Sequence, residues 1–255
     1  RIDGRRVAIG ADDFPVRGGA ADASIAAKQI WAEEAARELE VPLVRLVEGT
    51  GGGGSVRTIE TDGYTYVPVN PGWDAVVDNL SLVPVIGACM GPVAGLGAAR
   101  AVHSHLCILV RGNAQLFVAG PPVVLHATGA DLDKEELGGA RVHEKSGAVE
   151  RIVDSEEEAF AVIRAFLDFL PQNVHGLPQP RRSVDDPERR EESLLSAIPR
   201  NRRAVYKLRP ILDAVFDRGS VFDYAGYGDS VYTGLARLDG HLVGVVATDP
   251  YKGAA

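Results

Sequence analysis

Alternation of strand-like and helix-like segments is the feature that most restricts the fold. Over the first two-thirds of the chain, short runs rich in valine and isoleucine alternate with alanine-rich segments of helical period. We predict strands over Arg6–Ile9, Val41–Val47, Val83–Ala88 and Leu106–Val110, and helices over Asp22–Leu39, Asp74–Leu82, Ala94–Val102 and Glu156–Leu170. Strands separated by helices pair at least partly in parallel, so the pattern predicts an α/β domain. Ligands of such folds bind where strands end and helices begin.

Composition narrows the class of protein further. The 255 residues carry a net charge of −8, and 45% are hydrophobic, which is typical of a globular protein with a substantial core. The two cysteines, Cys89 and Cys107, lie in apolar runs and are interpreted as small buried hydrophobes in a reducing compartment. No apolar run is long enough to span a bilayer, and the acidic balance argues against nucleic acid as the main partner. Because the chain starts at Arg1 and its single methionine is Met90, we expect an excerpt of a longer protein.

An internal repeat indicates the domain organisation. The segment Arg1–Asp13 recurs as Arg237–Asp249, with six of thirteen positions identical and three more conservatively replaced. The match extends beyond the Asp-Gly turn into both flanking strands, so we infer that a second copy of the same domain begins near Ser220. We therefore predict a first domain over 1–170, a linker rich in proline and charge over 171–208, and the truncated start of a second domain over 209–255.

Two glycine-rich segments follow neighbouring predicted strands. For Gly49–Ser55 three interpretations are open: an engineered spacer, a flexible loop, or a loop whose backbone N–H groups approach an oxyanion or phosphate. For Gly91–Gly97, close helix packing competes with a role for the free N–H groups at the start of the next helix. Together the two segments suit an enzyme that stabilises an enolate or thioester oxyanion through main-chain donors.

Side-chain chemistry is less informative. His103 and His105 are expected on one face of a strand, and without a third ligand a structural role is favoured. Asp12, Asp13 and Glu48 stand beside the glycine-rich segments and are better interpreted as loop hydrogen-bonding groups than as acid–base catalysts. The sequence contains no Gly-x-Ser-x-Gly elbow, no Walker motif and no His-Glu-x-x-His motif.

The glycine-rich region carries a family resemblance. Two runs, Val85–Ala99 (VIGACMGPVAGLGAA) and Leu109–Val124 (LVRGNAQLFVAGPPVV), closely resemble the carboxyltransferase (β) subunits of biotin-dependent acyl-CoA carboxylases of the propionyl-, methylcrotonyl- and acetyl-CoA carboxylase type. Further similar pieces occur in the family's order, namely 11–14 with 18–19, 135–143 (EELGGARVH) with 146–147, 154–159, 170–173, 199–201, 206–209 and 234–247. The resemblance therefore covers nearly the whole chain.

The resemblance implies both fold and site. It implies an α/β crotonase-like (ClpP/crotonase) spiral of β-β-α units, here one near-complete copy and the first strands of a second. It also implies carboxyl transfer from N-carboxybiotin to the α-carbon of an acyl-CoA through an enolate held by backbone amides. Carried over, the catalytic positions are Gly95, Leu96, Gly51 and Gly52, the substrate-binding positions are Gly91, Pro92, Val93, Ala94, Phe117 and Gly120, and no metal is expected. Leu96 stands where the family usually has glycine, which keeps the N–H but adds a side chain.

The resemblance leaves the direction of transfer open. The alternatives to a carboxylase are a biotin-dependent acyl-CoA decarboxylase subunit and a non-catalytic assembly subunit; a crotonase-type hydratase is disfavoured because no pair of acids identifies itself near Gly95. The implied cofactors are biotin, carried on a partner protein or domain, and a coenzyme A thioester as substrate. The implied partners are a biotin carboxylase and biotin carboxyl carrier subunit and further copies of the chain, as a hexamer. The implied compartment is the cytoplasm, or the mitochondrial matrix in a eukaryote.

Overall fold

A parallel sheet forms the centre of the protein. The computed structural model describes residues 1–19, 26–49, 60, 63, 72–183, 185–201, 203–224 and 226–253. The strands of the sheet are β1 Ala8–Ala11, β2 Leu43–Gly49, β3 Val85–Ala94, β4 Leu106–Val110, β5 Gln115–Phe117 and β6 Arg151–Val153. Their order is β1-β2-β3-β4-β6, with β5 paired to the far end of β3, and every pairing is parallel. The predicted α/β class is confirmed.

Helices cover this sheet. They are α1 Ala26–Leu39, α2 Trp73–Leu82, α3 Leu96–Val102, α4 Pro121–Thr128, α5 Lys134–Gly138, α6 Ala140–His143 and α7 Glu156–Phe169. The start of α7 follows from its sequence, because the Ser155 hydroxyl accepts the N–H of Glu158 at 3.1 Å and three glutamates occupy the first turn. None of the helices in the described ranges is long and apolar enough to cross a bilayer.

The core confirms the interpretation of the two cysteines. Cys89 on β3 and Cys107 on β4 are both free and buried among the apolar side chains of the sheet. A hydrogen bond with Cys89, together with burial, raises the pKa of the Cys107 thiol well above its ordinary value. The Cys107 thiol is therefore neutral, and both cysteines pack as small hydrophobic residues.

Two sequence predictions are corrected by the sheet. Gly91–Val93 were predicted to follow the strand as a glycine-rich segment and Ala94 to begin the next helix, but all four residues lie in β3, because β5 pairs with Pro92–Ala94. Glycine and proline in this strand sit at an irregularity in the pairing, where they are tolerated. His103 ends α3 and His105 precedes β4, so the two histidines do not share a strand.

The favoured structural role of His105 is supported by its contacts. Its Nδ1 accepts the N–H of Val85 at 3.0 Å, and its Nε2 lies 2.9 Å from the carbonyl oxygen of Leu80 and donates to it. Burial lowers the pKa of His105. The neutral imidazole therefore ties the end of α2 to the start of β3.

The remainder of the chain forms a smaller antiparallel sheet. After α8 Leu194–Ala197 and α9 Arg209–Val215 come β7 Phe222–Asp223, β8 Val231–Leu238 and β9 His241–Thr248, in the order β7-β8-β9. Phe222 packs 5.8 Å from the ring centroids of both Phe166 and Phe169, which joins this sheet to α7. The segment 171–208, which was predicted as a linker, is hydrogen-bonded to both parts of the protein. The Val174 N–H donates to the carbonyl oxygen of Leu82 in α2, and the Arg181 N–H donates to the carbonyl oxygen of Gly240 in the turn between β8 and β9.

Candidate active site

The carboxyl ends of β1, β2 and β3 meet at one edge of the parallel sheet. A short 3-10 turn over Arg17–Gly19 packs backbone to backbone against the end of β2. A Cβ on Gly19 would overlap the carbonyl oxygen of Glu48, and a Cβ on Gly49 would overlap the carbonyl oxygen of Gly18. Both glycines also have positive φ, 67° and 117°. The approach of these two loops therefore requires glycine at both positions.

A bulge in β3 lies opposite Glu48. Val47 pairs with Cys89 and Gly49 pairs with Val93, so a single residue of β2 faces three residues of β3. The space above the bulge is filled by the Glu48 side chain, whose carboxylate a Cβ on Gly91 would overlap. Bulges redirect a strand and are frequent beside functional sites. Gly91 thus provides room for an acidic side chain at the edge of the sheet.

Gly95 connects β3 to α3 in a conformation that only glycine adopts readily. Its φ is 58° and its ψ is −122°. Its N–H donates to the carbonyl oxygen of Phe117 at 3.2 Å, and its own carbonyl accepts the N–H of Ala99 at 3.0 Å. The N–H groups of residues 96 to 98 precede the first helical hydrogen bond and therefore have no partner within α3. The turn presents backbone donors at the edge of the sheet.

The structure brings several of the predicted site residues together. Pro92, Val93 and Ala94 pair with β5, Phe117 ends β5 and binds the Gly95 N–H, and Gly120 caps the start of α4. Gly91 lies further back in β3, against Glu48 rather than in the turn. The predicted catalytic residues Gly51 and Gly52 lie outside the described residues.

The position of β5 depends on the segment Glu135–Ser146. His143 Nε2 donates to the carbonyl oxygen of Leu116 at 2.8 Å, and its Nδ1 lies 2.9 Å from Ser146 Oγ. The side chain of Gln115 donates to Glu135, and Asp133 and Glu136 form a capping box at the start of α5. These hydrogen bonds fix the position of β5, whose Phe117 carbonyl oxygen accepts the Gly95 N–H, so they stabilise the turn at Gly95 indirectly.

A buried charge network, formed by Glu33, Arg45, Arg100 and Asp12, lies beneath this edge. Arg45 donates to both carboxylate oxygens of Glu33, at 2.7 and 2.8 Å. Arg100 Nη2 donates to Asp12 Oδ1 at 3.3 Å, and its Nε lies 4.0 Å from Glu33 Oε1. The four side chains are 1% to 9% exposed.

Sequence reasoning identified only one member of this network. Asp12 was interpreted as a loop hydrogen-bonding residue, which is confirmed, since its Oδ2 also accepts the N–H of Glu48 at 3.3 Å. Arg45 was missed although it carries a signal: an arginine inside the apolar run Val41–Val47 must find a buried partner.

The fold and site together define a class of protein. A parallel α/β sheet presents glycine-dependent loops and backbone N–H donors at one edge, which suits the stabilisation of an oxyanion. The sequence matches the carboxyl transferase domain family over residues 1–254, so the chain belongs to that family, as its resemblance predicted.

Individual relatives agree with this assignment. The chain is 32% identical over 251 residues to the carboxyltransferase subunit of propionyl-CoA carboxylase from Haloferax mediterranei, covering 98% of this chain and 48% of that protein. It is 31% identical over 255 residues to the alpha subunit of methylmalonyl-CoA decarboxylase from Veillonella parvula, with the same two coverages. The chain therefore spans about half the length of these curated relatives.

A solved structure supports the fold. Transcarboxylase 12S, whose crystal structure is described as a hexamer assembly with methylmalonyl-coenzyme A and methylmalonic acid bound, superposes with a TM-score of 0.84 at 27% identity. The match covers 97% of this chain and 48% of that one. The crotonase-like class implied by the resemblance is thereby confirmed.

Proposed function

We propose that this chain is part of a carboxyltransferase that moves a carboxyl group from N-carboxybiotin to the α-carbon of an acyl-CoA. The observation that carries the proposal is the turn at Gly95, where β3 ends and α3 presents free backbone N–H groups beside Phe117. Carboxybiotin supplies the carboxyl group. The role of the chain is to hold the thioester so that the negative charge on its oxygen, when the α-carbon becomes an enolate, is met by fixed donors.

Leu96 is the principal donor in this proposal. The N–H of Gly95 is already used in the hydrogen bond to Phe117, whereas the N–H of Leu96 is the first one of α3 and has no helical partner. Gly95 contributes its conformation, and its N–H contributes only if it is shared between Phe117 and the substrate. Pro92, Val93, Ala94, Phe117 and Gly120 form the proposed wall beside the thioester, to which Val93 contributes its backbone because its side chain is buried in the core. Gly91 leaves room for the Glu48 side chain.

The described residues offer donors for a thioester but no assigned group for the biotin ring. By the family resemblance, we propose that an equivalent turn in the second half of the protein holds biotin. The proposed carriers are a biotin carboxylase and a biotin carboxyl carrier subunit, and the proposed assembly is a hexamer. The support for the assembly is the hexamer described for transcarboxylase 12S.

Replacement of Leu96 by proline tests the role of its N–H directly. Proline is well tolerated at the first position of a helix, so Leu96→Pro removes the donor without interrupting α3. Loss of one oxyanion donor typically lowers kcat about 10²- to 10³-fold, and we expect this loss in carboxylation assays of the full-length protein with its biotin partners.

The matched control is Leu96→Ala, which keeps the N–H and is expected to retain activity within a few-fold. Thermal unfolding of both variants checks that the fold is intact. Equal activity of the proline and alanine variants would refute the donor role. Absence of carboxylation of short, branched and long acyl-CoA by the unmodified protein would refute the carboxylase itself.

The decarboxylase is the second candidate, and a specific observation favours it, namely the similarity to the Veillonella decarboxylase subunit. Both directions use the same enolate, so the turn at Gly95 serves either. Supplying a carboxylated acyl-CoA and following loss of the carboxyl group distinguishes them. A non-catalytic assembly subunit is the remaining alternative, and micromolar acyl-CoA binding in calorimetric titration would contradict it.

A further inference from the structure

The buried charge network connects four separate segments at or beneath the candidate site. Asp12 follows β1 directly, and its two carboxylate oxygens accept from Arg100 of α3 and from the backbone of Glu48 in β2. Arg45 of β2 donates to the carbonyl oxygens of Arg100 and His103 at the end of α3. Glu33 of α1 completes the network through Arg45. The helix that follows Gly95 is thereby tied to β1, β2 and α1 by charged hydrogen bonds.

A shift of the charge network would also move the turn at Gly95, because α3 carries both Arg100 and Leu96. α3 has only seven residues, so it is about 10 Å long and moves as a rigid unit. Arg100 lies four residues after Leu96, which is about one helical turn on the same side. A change in the position of Arg100 therefore displaces the N–H of Leu96 by a similar amount.

Stability alone does not explain these residues. Burying four charges costs desolvation energy, and well-packed hydrophobic side chains would often stabilise the same space equally well. The network is also one hydrogen bond short, since Arg100 Nε finds no hydrogen-bond partner in the described ranges. Directional hydrogen bonds, in contrast, fix the relative position of the elements they join.

We propose that Asp12, Arg100, Arg45 and Glu33 are positioning residues that hold α3 in register with β1 and β2, so that the backbone donors after Gly95 meet the reacting thioester. This inference rests on the proposed function for its catalytic consequence, while its structural part is independent of it. Misplacement of a catalytic group by about 1 Å lowers a rate roughly 10²-fold. The effect falls on kcat, because the wall that contacts the rest of the substrate is not moved.

The test uses Arg100→Gln in the full-length protein with its partners, assayed well below the unfolding temperature. We expect kcat to fall about 10- to 100-fold while KM for acyl-CoA stays within about threefold, with partial rescue in Arg100→Lys, which keeps the charge opposite Asp12. Asp12→Asn has nearly the same shape and keeps an acceptor oxygen, so it replaces Arg100→Gln if that variant does not fold. The matched control is Arg37→Gln, which removes an exposed ion pair with Asp78 at 3.1 Å and is expected to leave kcat unchanged.

Amide hydrogen exchange of Gly95 and Ala99 in the unliganded protein supplies a readout that needs no activity, because their N–H groups are hydrogen-bonded to the carbonyl oxygens of Phe117 and Gly95 and report whether the turn stays closed. We expect faster exchange in Arg100→Gln or Asp12→Asn than in Arg37→Gln. Unchanged exchange together with unchanged kcat, even with a lower melting temperature, overturns the positioning role. If the unmodified protein shows no carboxyl transfer, the proposed function fails, and the exchange result alone then decides the positioning of α3.

Discussion

The two copies of the internal repeat form the same turn in different surroundings. Asp3 and Gly4 have φ of 48° and 81°, and Asp239 and Gly240 have φ of 48° and 77°. In both turns the preceding arginine donates through Nη1 to the carbonyl of the glycine, Arg1 at 3.2 Å and Arg237 at 3.0 Å. The repeated residues therefore reproduce both the backbone and a side-chain hydrogen bond.

The surroundings differ in both pairing and burial. After the first turn, β1 pairs in parallel with β2, whereas after the second turn β9 pairs antiparallel with β8. Arg1 is exposed, but Arg237 is buried, donates to the carbonyl of Asp168 at 3.0 Å and lies 5.1 Å above the ring of Phe169. The local sequence thus determines the conformation of the turn, while tertiary contacts determine how the next strand pairs and whether the arginine is buried.

The largest difference between the two turns is expected for glycine to alanine. A Cβ on Gly4 meets nothing within 4 Å, whereas a Cβ on Gly240 would overlap the carbonyl oxygen of Arg181. Positive φ costs alanine about 1–2 kcal/mol at either site. We expect Gly4→Ala to lose about that much and Gly240→Ala about 3 kcal/mol or more, because the backbone must also separate. Urea unfolding midpoints measure both, and equal losses would contradict the comparison.

Replacement of the two arginines has the next largest effect. Arg237→Met leaves Asp168 short of one partner and removes the contact with Phe169, so we expect a loss of about 2–3 kcal/mol in unfolding free energy. Arg1→Met removes one exposed hydrogen bond and is expected to change the same quantity by less than about 0.5 kcal/mol. If Arg1→Met lowered the free energy of unfolding as much as Arg237→Met, the hydrogen bond within the turn, rather than burial of the arginine, would be the source of the stability.

The smallest effect concerns Glu150, which lies where the two sheets meet. Its Oε2 accepts the N–H of Cys107 at 2.6 Å, and burial raises the pKa of Glu150. A raised pKa means that the folded state binds the proton more tightly than the unfolded one, so stability falls as pH rises through the folded pKa. Glu150→Gln keeps the acceptor and removes the charge. We expect the variant to be more stable than the parent at pH 7, with the difference disappearing below about pH 4.

The control for this prediction is Glu192→Gln, at an exposed glutamate, and melting temperatures across pH 3 to 8 are the measurement. A constant difference between Glu150→Gln and the parent at all pH values would contradict burial of the charge. The two sheets are also joined near this position, where the Tyr224 hydroxyl of the second region donates to the carbonyl oxygen of His105 in the first. A constant difference would therefore also argue against a core shared by the two sheets.

Most of the parallel sheet could be predicted because its strands are apolar runs with a clear period. β4 was predicted with its exact bounds, since Leu106–Val110 is apolar throughout and buried. The extension of β3 through Ala94 could not be predicted, because it depends on pairing with β5, a three-residue strand without a signal of its own. Local sequence at Gly91 and Pro92 favours a turn, and a distant partner overrides it.

Local sequence pattern identified the candidate site where glycine marks it, whereas Phe117 was predicted through the family resemblance. Gly95 was identified from the glycine-rich run, and its positive φ explains that signal. The hydrogen bond that occupies its N–H and the pairing of Arg100 with Asp12 arise from contacts between residues 22 and 88 positions apart, which no local pattern contains.

The donors at the turn belong to the backbone, and this changes how the site responds to genetic variation. Leu96→Ala leaves the N–H donor intact and would report residue 96 as dispensable, so a library of side-chain substitutions underestimates the importance of this segment. Exchange of the peptide amide at residue 96 for an ester, by incorporation of the α-hydroxy acid of leucine, replaces the N–H donor with an oxygen atom and leaves the side chain unchanged. The same property lets leucine occupy the position after Gly95 while the hydrogen-bonding group stays in place.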